Sequence, residues 1–173
     1  MACARQICPA SREMLDRFCA KLLVACTPEG GGPVADNGKF EAFKRDLVEK
    51  NERTYGAEVR DRWGNAAADA ANARVMGLSQ AEYERAQKLE AEVRAEVLAG
   101  LADGDPDGAH AAPAARAHAG WLQAFWPKGT YTPEAHVLLA RSYLADERFR
   151  AYYEAWAPGA AEFLVRAIEA AGV

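Results

Sequence analysis

Residues 121–156 read WLQAFWPKGTYTPEAHVLLARSYLADERFRAYYEAW. Nine of the sixteen aromatic side chains fall in this stretch, about a fifth of the length. They are Trp121, Phe125, Trp126, Tyr131, Tyr143, Phe149, Tyr152, Tyr153 and Trp156. The spacing is helical and the punctuation is clear. Trp121, Leu122 and Phe125 end one helix, and Pro127-Lys128-Gly129 stops it. Thr132 caps the next, with Pro133 at its first position. Val137, Ala140, Tyr143 and Leu144 follow as an inward face. Asp146 caps a third helix carrying Phe149, Tyr152, Tyr153 and Trp156, with Phe149 and Trp156 expected to be packing residues. Aromatics at this density suit a core or the wall of a pocket for a flat, partly polar ligand, and spacing alone leaves both open.

The same grammar extends in both directions. Downstream, Ala157-Pro158-Gly159 breaks the chain, and Phe163, Leu164, Ala167 and Ile168 form the apolar stripe of a last helix, 159–171. Upstream, a helix over 110–126 carries Ala114, His118, Trp121, Leu122 and Phe125 on one face. The acidic loop Asp103–Gly108 before it lacks the twelve-residue spacing and terminal Glu of a calcium loop. Ser79 and Glu82 form a capping box, with Leu78 and Tyr83 as its hydrophobic staple. That predicts a helix running to about Ala102, with Tyr83, Ala86, Leu89, Val93, Val97 and Leu101 inward. A weak Ala-rich helix covers 66–76.

Lys39 to Trp63 is another helix, with Phe40, Phe43, Leu47, Asn51, Tyr55, Val59 and Trp63 on its stripe and a kink at Gly56. Its i,i+4 pairs (Glu41 with Arg45, Glu49 with Arg53, Glu58 with Arg62) are worth a few tenths of a kcal/mol each and mark a solvated face. Thr27–Gly38 is a Gly/Pro-rich linker. Ser11–Cys26 is an amphipathic helix that needs a partner surface, either the domain itself or a second copy as a homodimer arm. No stretch alternates with period two. The expected fold is all-α, a bundle of seven or eight helices, with residues 1–38 as helix plus linker and 39–173 as the domain.

A chain of 173 residues, half of them apolar and 27% charged, can bury a full core as one domain. With a net charge of −4 and no basic cluster, nucleic-acid binding is not expected. No apolar run is long enough to span a membrane. The N-terminus lacks a signal-peptide layout, so the expected compartment is the cytoplasm. The four cysteines, Cys3, Cys8, Cys19 and Cys26, match no zinc or redox spacing and read as inert thiols.

No cofactor or metal is expected. His110, His118 and His136 lack the i,i+4 spacing of a helical zinc pair. Aromatics crowd the helices that would have to offer a haem ligand, so His118 and His136 read as polar groups lining the core. Ser79 is used as a cap, no GxSxG exists, and no Gly-rich loop follows a strand, so an enzyme is not expected. The Trp126–Pro133 turn, where aromatics flank a loop held by two helices, is the candidate binding position.

At these residues the sequence resembles the TipAS domain, the antibiotic-recognition part of TipA-type regulators of the MerR class. The resemblance rests on FEAFKRDLVEKNERTYGAEVRDRWG (40–64), HAGWLQAFWPKGTYTPEAH (118–136) and YLADERFRAYYEAWAPGAAEFLVRAI (143–168), in that order. It implies a globin-like all-α fold without haem, a cleft for thiopeptides or other bulky cyclic antibiotics, and mobility over Phe40–Met76 before ligand binds. Two departures are visible. Residues 1–38 do not resemble the DNA-binding domain that usually precedes TipAS, so no direct nucleic-acid binding is expected. In the regulator that gives the family its name, a cysteine in the turn corresponding to Pro127–Pro133 reacts with the drug; here that turn contains none.

The expectation is therefore non-covalent antibiotic binding, for sequestration and resistance or for sensing. The candidate aromatic contacts, chosen by position, are Trp63, Trp121, Phe125, Trp126, Tyr131, Tyr143 and Tyr153, with Arg62 and His136 as polar contacts. The alternative is an accessory or truncated relative of a MerR-type transcription regulator, acting through protein–protein contacts.

Overall fold

The structure is a computed structural model that describes residues 37–173. The expected Ser11–Cys26 helix, nearly all of the Thr27–Gly38 linker and the four cysteines lie outside the described residues.

Among those residues the chain is all-helical and contains no strand. The elements are α1 (Asn37–Asn51), a π-helical turn (Glu52–Gly56), α2 (Ala57–Trp63), α3 (Asn65–Met76), α4 (Gln80–Asp103), α5 (Ala111–Phe125), α6 (Pro133–Ala145), α7 (Glu147–Glu154) and α8 (Ala160–Ala171). The α1, π-turn and α2 segments run on as one rod, so the described chain has seven. The expected boundaries hold to within a residue or two because caps set them. The Ser79 side chain accepts from the Glu82 backbone N–H while the Glu82 carboxylate accepts from Ser79 N–H. Thr132 caps α6 ahead of Pro133, and Asp146 caps α7.

The core lies around α5, which packs on α4 and α8; α6 and α7 close against α8. Ala-rich faces allow close approach. Ala114, Ala115, Leu122, Leu139, Ala140, Ala160, Ala161, Leu164 and Ile168 are wholly buried. Leu144, expected inward, is exposed at 39%. His136, Leu139, Ala140 and Tyr143 occupy the inward stripe of α6, and Leu144 lies about a quarter-turn off that stripe.

One contact in this core depends on a missing side chain. Gly100 on α4 is buried, and a Cβ placed there would overlap the ring of Phe163 on α8 and approach His110 Cβ at 3.3 Å. Alanine gains about 1 kcal/mol over glycine inside a helix, but overpacking a buried site costs about 1–3 kcal/mol. Gly100→Ala is therefore expected to lower the urea midpoint of unfolding; a raised midpoint would contradict this packing.

The N-terminal lobe, α1 to α3, has a small core of its own, Val59 and Ala68 with Tyr55 against them. The kink expected at Gly56 is the π-turn. A Cβ on Gly56 would strike the Glu52 carboxylate, which folds back over the helix. Glu52 accepts from Asn72 Nδ2 at 2.7 Å and from the Arg60 guanidinium at 3.2 Å, so one carboxylate joins the rod to α3.

Several contacts hold the lobe to the bundle, among them Ala71 of α3 in the main core and Arg74 beside Glu82 at 3.7 Å. Phe40 and Phe43 pack on Tyr83 of α4, with centroids at 5.9 and 5.2 Å. Lys44, 3% exposed, spends its three N–H groups on Met76 O (2.7 Å), Leu78 O (3.0 Å) and Glu41 Oε1 (2.7 Å). At the other end Arg148 of α7 reaches Glu58 at 3.0 Å and lies over Tyr55. Of the expected i,i+4 pairs, Glu49–Arg53 forms at 3.9 Å, Glu41 pairs with Lys44, and the Arg62 partner expected for Glu58 has its side chain outside the described residues. No described helix is long and apolar enough to cross a membrane.

Candidate functional site

The centre of the aromatic stretch is a pair of buried histidines. His118 lies on the inward stripe of α5 and His136 one turn into α6, at 1% and 0% exposure. The rings are nearly parallel, 8° apart, with centroids 4.9 Å apart. The closest atoms are His118 Nδ1 and His136 Nε2 at 2.7 Å. That is an edge-to-edge N–H···N bond rather than a face-to-face stack.

The hydrogens follow from one acceptor. His136 Nδ1 is 2.7 Å from the carbonyl oxygen of Val173. A carbonyl only accepts, so His136 Nδ1 carries a hydrogen, and the Tyr131 hydroxyl at 3.0 Å lies beside the same N–H. In a neutral ring His136 Nε2 then accepts, and His118 Nδ1 donates to it. His118 Nε2 is left as an acceptor for the Tyr153 and Tyr143 hydroxyls, each at 3.3 Å. The bond between the two rings requires that they not both be protonated, since one of the facing nitrogens must accept. Burial pushes His118 well below its ordinary pKa, with the His136 ring as a smaller cause. It lowers His136 to about 4 despite the opposing Val173 carbonyl. Burial also raises the Tyr131 hydroxyl to about 12.

Aromatics pack around this pair without a break. Trp121 and Tyr143 lie against His118 at 5.5 and 5.7 Å between centroids. Tyr131 lies against His136 at 5.7 Å, and Trp126 against Tyr131 at 5.9 Å. Phe125 meets Trp121 edge-on, and Tyr153 meets Tyr143 at 4.8 Å. The cluster reaches the surface in a small recess between α4, α5 and α7. Its floor is Val93, His118, Trp121 and Tyr153; its half-buried rim is Glu90, Tyr152 and Trp156. The free space is about 10 Å³, enough for about one water.

Of the residues singled out by sequence, Trp121 and Tyr153 line this recess. Phe125, Trp126, Tyr131, His136 and Tyr143 stand behind it in the same cluster, and all but Tyr131 are buried. The side chains of Arg62 and Trp63 lie outside the described residues. Sequence reasoning passed over His118, Glu90, Tyr152 and Trp156. His118 carried a signal, a polar residue on an apolar helical stripe. Trp156, expected only to pack, forms part of the rim. No cluster of His, Cys, Asp and Glu suited to a metal ion occurs among the described residues.

The described residues thus form a helical bundle in which a small surface recess opens onto an aromatic and histidine cluster. Residues 55–171 match the family model of the TipAS antibiotic-recognition domain. That span is about two-thirds of the chain and includes the whole cluster except Val173; the chain belongs to the TipAS family. Antibiotic recognition is the role that family membership implies. No curated protein and no solved structure shows significant similarity to the chain.

Proposed function

We propose that this chain binds a bulky hydrophobic or cyclic peptide antibiotic, thiopeptides included, without forming a covalent bond, and so keeps it from its target. The observation that carries the reading is the match to the antibiotic-recognition family over residues 55–171, within which a small recess leads from solvent into the aromatic cluster. Residues 127–133 contain no thiol, which supports release of an unmodified ligand. With room for about one water, the recess admits only one group of such a ligand. The remainder lies across the rim. Affinity then comes from aromatic burial less the cost of immobilising the ligand there.

A thermal-shift panel of thiopeptides and other cyclic antibiotics tests this. A ligand at ~100 times its Kd adds about 2.7 kcal/mol of stability, several degrees for a domain of this size. The ligand should be recovered chemically unchanged. A flat panel, or a ligand recovered altered, overturns the proposal.

A further inference from the structure

Glu90 is the unusual member of the recess. It is half-buried on the rim, and its Oε1 accepts from the Tyr152 hydroxyl at 2.6 Å. No Lys or Arg among the described residues is paired with it. A carboxylate drawn partly out of water beside apolar rings is costly unless a cation or hydrogen-bond donors compensate it. Some carboxylates on the described surface are paired with arginine, Glu58 with Arg148, Asp107 with Arg166 and Glu169 with Arg141; Glu90 has the Tyr152 hydroxyl instead and, unlike them, sits in an aromatic recess.

The neighbouring rings favour positive charge as well. Tyr152, Tyr153 and Trp156 meet almost at right angles, at 81°, 69° and 84°, with centroids 5.0–5.5 Å apart. They form a corner, not a stack. Together with Trp121 they line the recess, and an aromatic ring attracts a cation held over its face more strongly as water is excluded.

Size narrows the class of cation. About 10 Å³ of free space holds a group the size of one water. A primary ammonium is of that size, and its N–H groups can meet a carboxylate. A trimethylammonium or a guanidinium is larger. A bare divalent ion would need several oxygen ligands, and Glu90 is the only carboxylate in the lining. We infer that the recess takes the primary ammonium head of a ligand, with Glu90 as its counter-ion and the Tyr152–Trp156 corner as its wall. The inference rests on the antibiotic-binding reading, of which it names one group: the ligand carries a primary amine.

Three probes of one skeleton test it on the full chain: 2-phenylethylamine, 2-phenylethanol and trimethyl(2-phenylethyl)ammonium. Binding is read from the indole N–H signals of Trp121 and Trp156 in a nitrogen–proton correlation spectrum. The amine should bind at least tenfold tighter than the alcohol and also tighter than the trimethylated analogue. Glu90→Gln keeps an acceptor for the Tyr152 hydroxyl, so the variant should fold with an unchanged melting temperature while the amine preference falls to twofold or less. Equal binding of amine and alcohol, a preference that survives in Glu90→Gln, or no response to any probe overturns the inference. If antibiotics shift the melting temperature while the amine preference is absent, the ammonium site alone fails. An amine preference without any antibiotic shift leaves the site standing and removes the antibiotic reading.

Discussion

Trp126→Ala is expected to lower the unfolding free energy by about 3–5 kcal/mol, the usual cost of deleting a fully buried Trp. Trp126 is 1% exposed and packs on Tyr131. It also closes α5 in an extended backbone conformation, with its N–H on Leu122 O. The turn 127–132 would lose its anchor, and with it the position of Tyr131 against His136. Trp126→Phe retains most of the apolar area and should lose less. Chemical denaturation of both variants checks this. A Trp126→Ala protein as stable as the parent would mean that the indole faces ligand space and not the core.

Acidification is expected to remove a comparable amount of stability, through the histidine pair. Folding holds His136 at about 4, against about 6.5 in an unfolded chain. A depressed imidazole pKa means that the unfolded state binds the extra proton, so the neutral pair contributes its full stability above pH ~6.5. The contribution is lost as pH falls from there toward 4. At about 1.4 kcal/mol per unit, His136 alone accounts for about 3 kcal/mol across that window. His118 acts in the same direction.

His110 opposes the trend. Its hydrogen bond to Glu96 and the nearby Asp103 raise its pKa, so it contributes stability when protonated. Asp107, held low by Arg166, and Glu82, held low by Ser79, add losses only at the acid end of the window. The urea midpoint should therefore decline steadily from pH 7 to pH 4.5, and His136→Gln should flatten the decline. A midpoint constant over that range would contradict the neutral relay.

The fold was legible because local chemistry sets its boundaries. Ser79 with Glu82, Thr132 with Pro133, and Asp146 each announce a helix start within a few residues of sequence. The aromatic cluster was legible as a list of residues, and its bias to one stretch put most of it on α5 to α7. Its geometry was not. The recess needs Glu90 and Val93 of α4 beside Tyr152 and Trp156 of α7, a separation of about sixty residues that no periodicity encodes. Sequence placed the functional emphasis on the Trp126–Thr132 turn, because loops between rigid helices hold ligands. In the structure Trp126 lies in the core, and the recess opens at the far side of the His118–His136 pair. His118 was passed over because a helical stripe tolerates a histidine as easily as an alanine, and only three-dimensional placement shows its partner.

Two of the contacts of the N-terminal lobe respond differently to ionic strength. The Arg148–Glu58 pair is partly exposed, and the attraction within such a surface pair falls as salt rises. Lys44, with all three N–H groups engaged and almost no contact with solvent, is shielded from that screening. Raising the salt concentration therefore weakens the lobe's hold on α7 while leaving its hold near the start of α4 intact. The electrolyte around the protein thus bears on one seam of the lobe and leaves the other untouched.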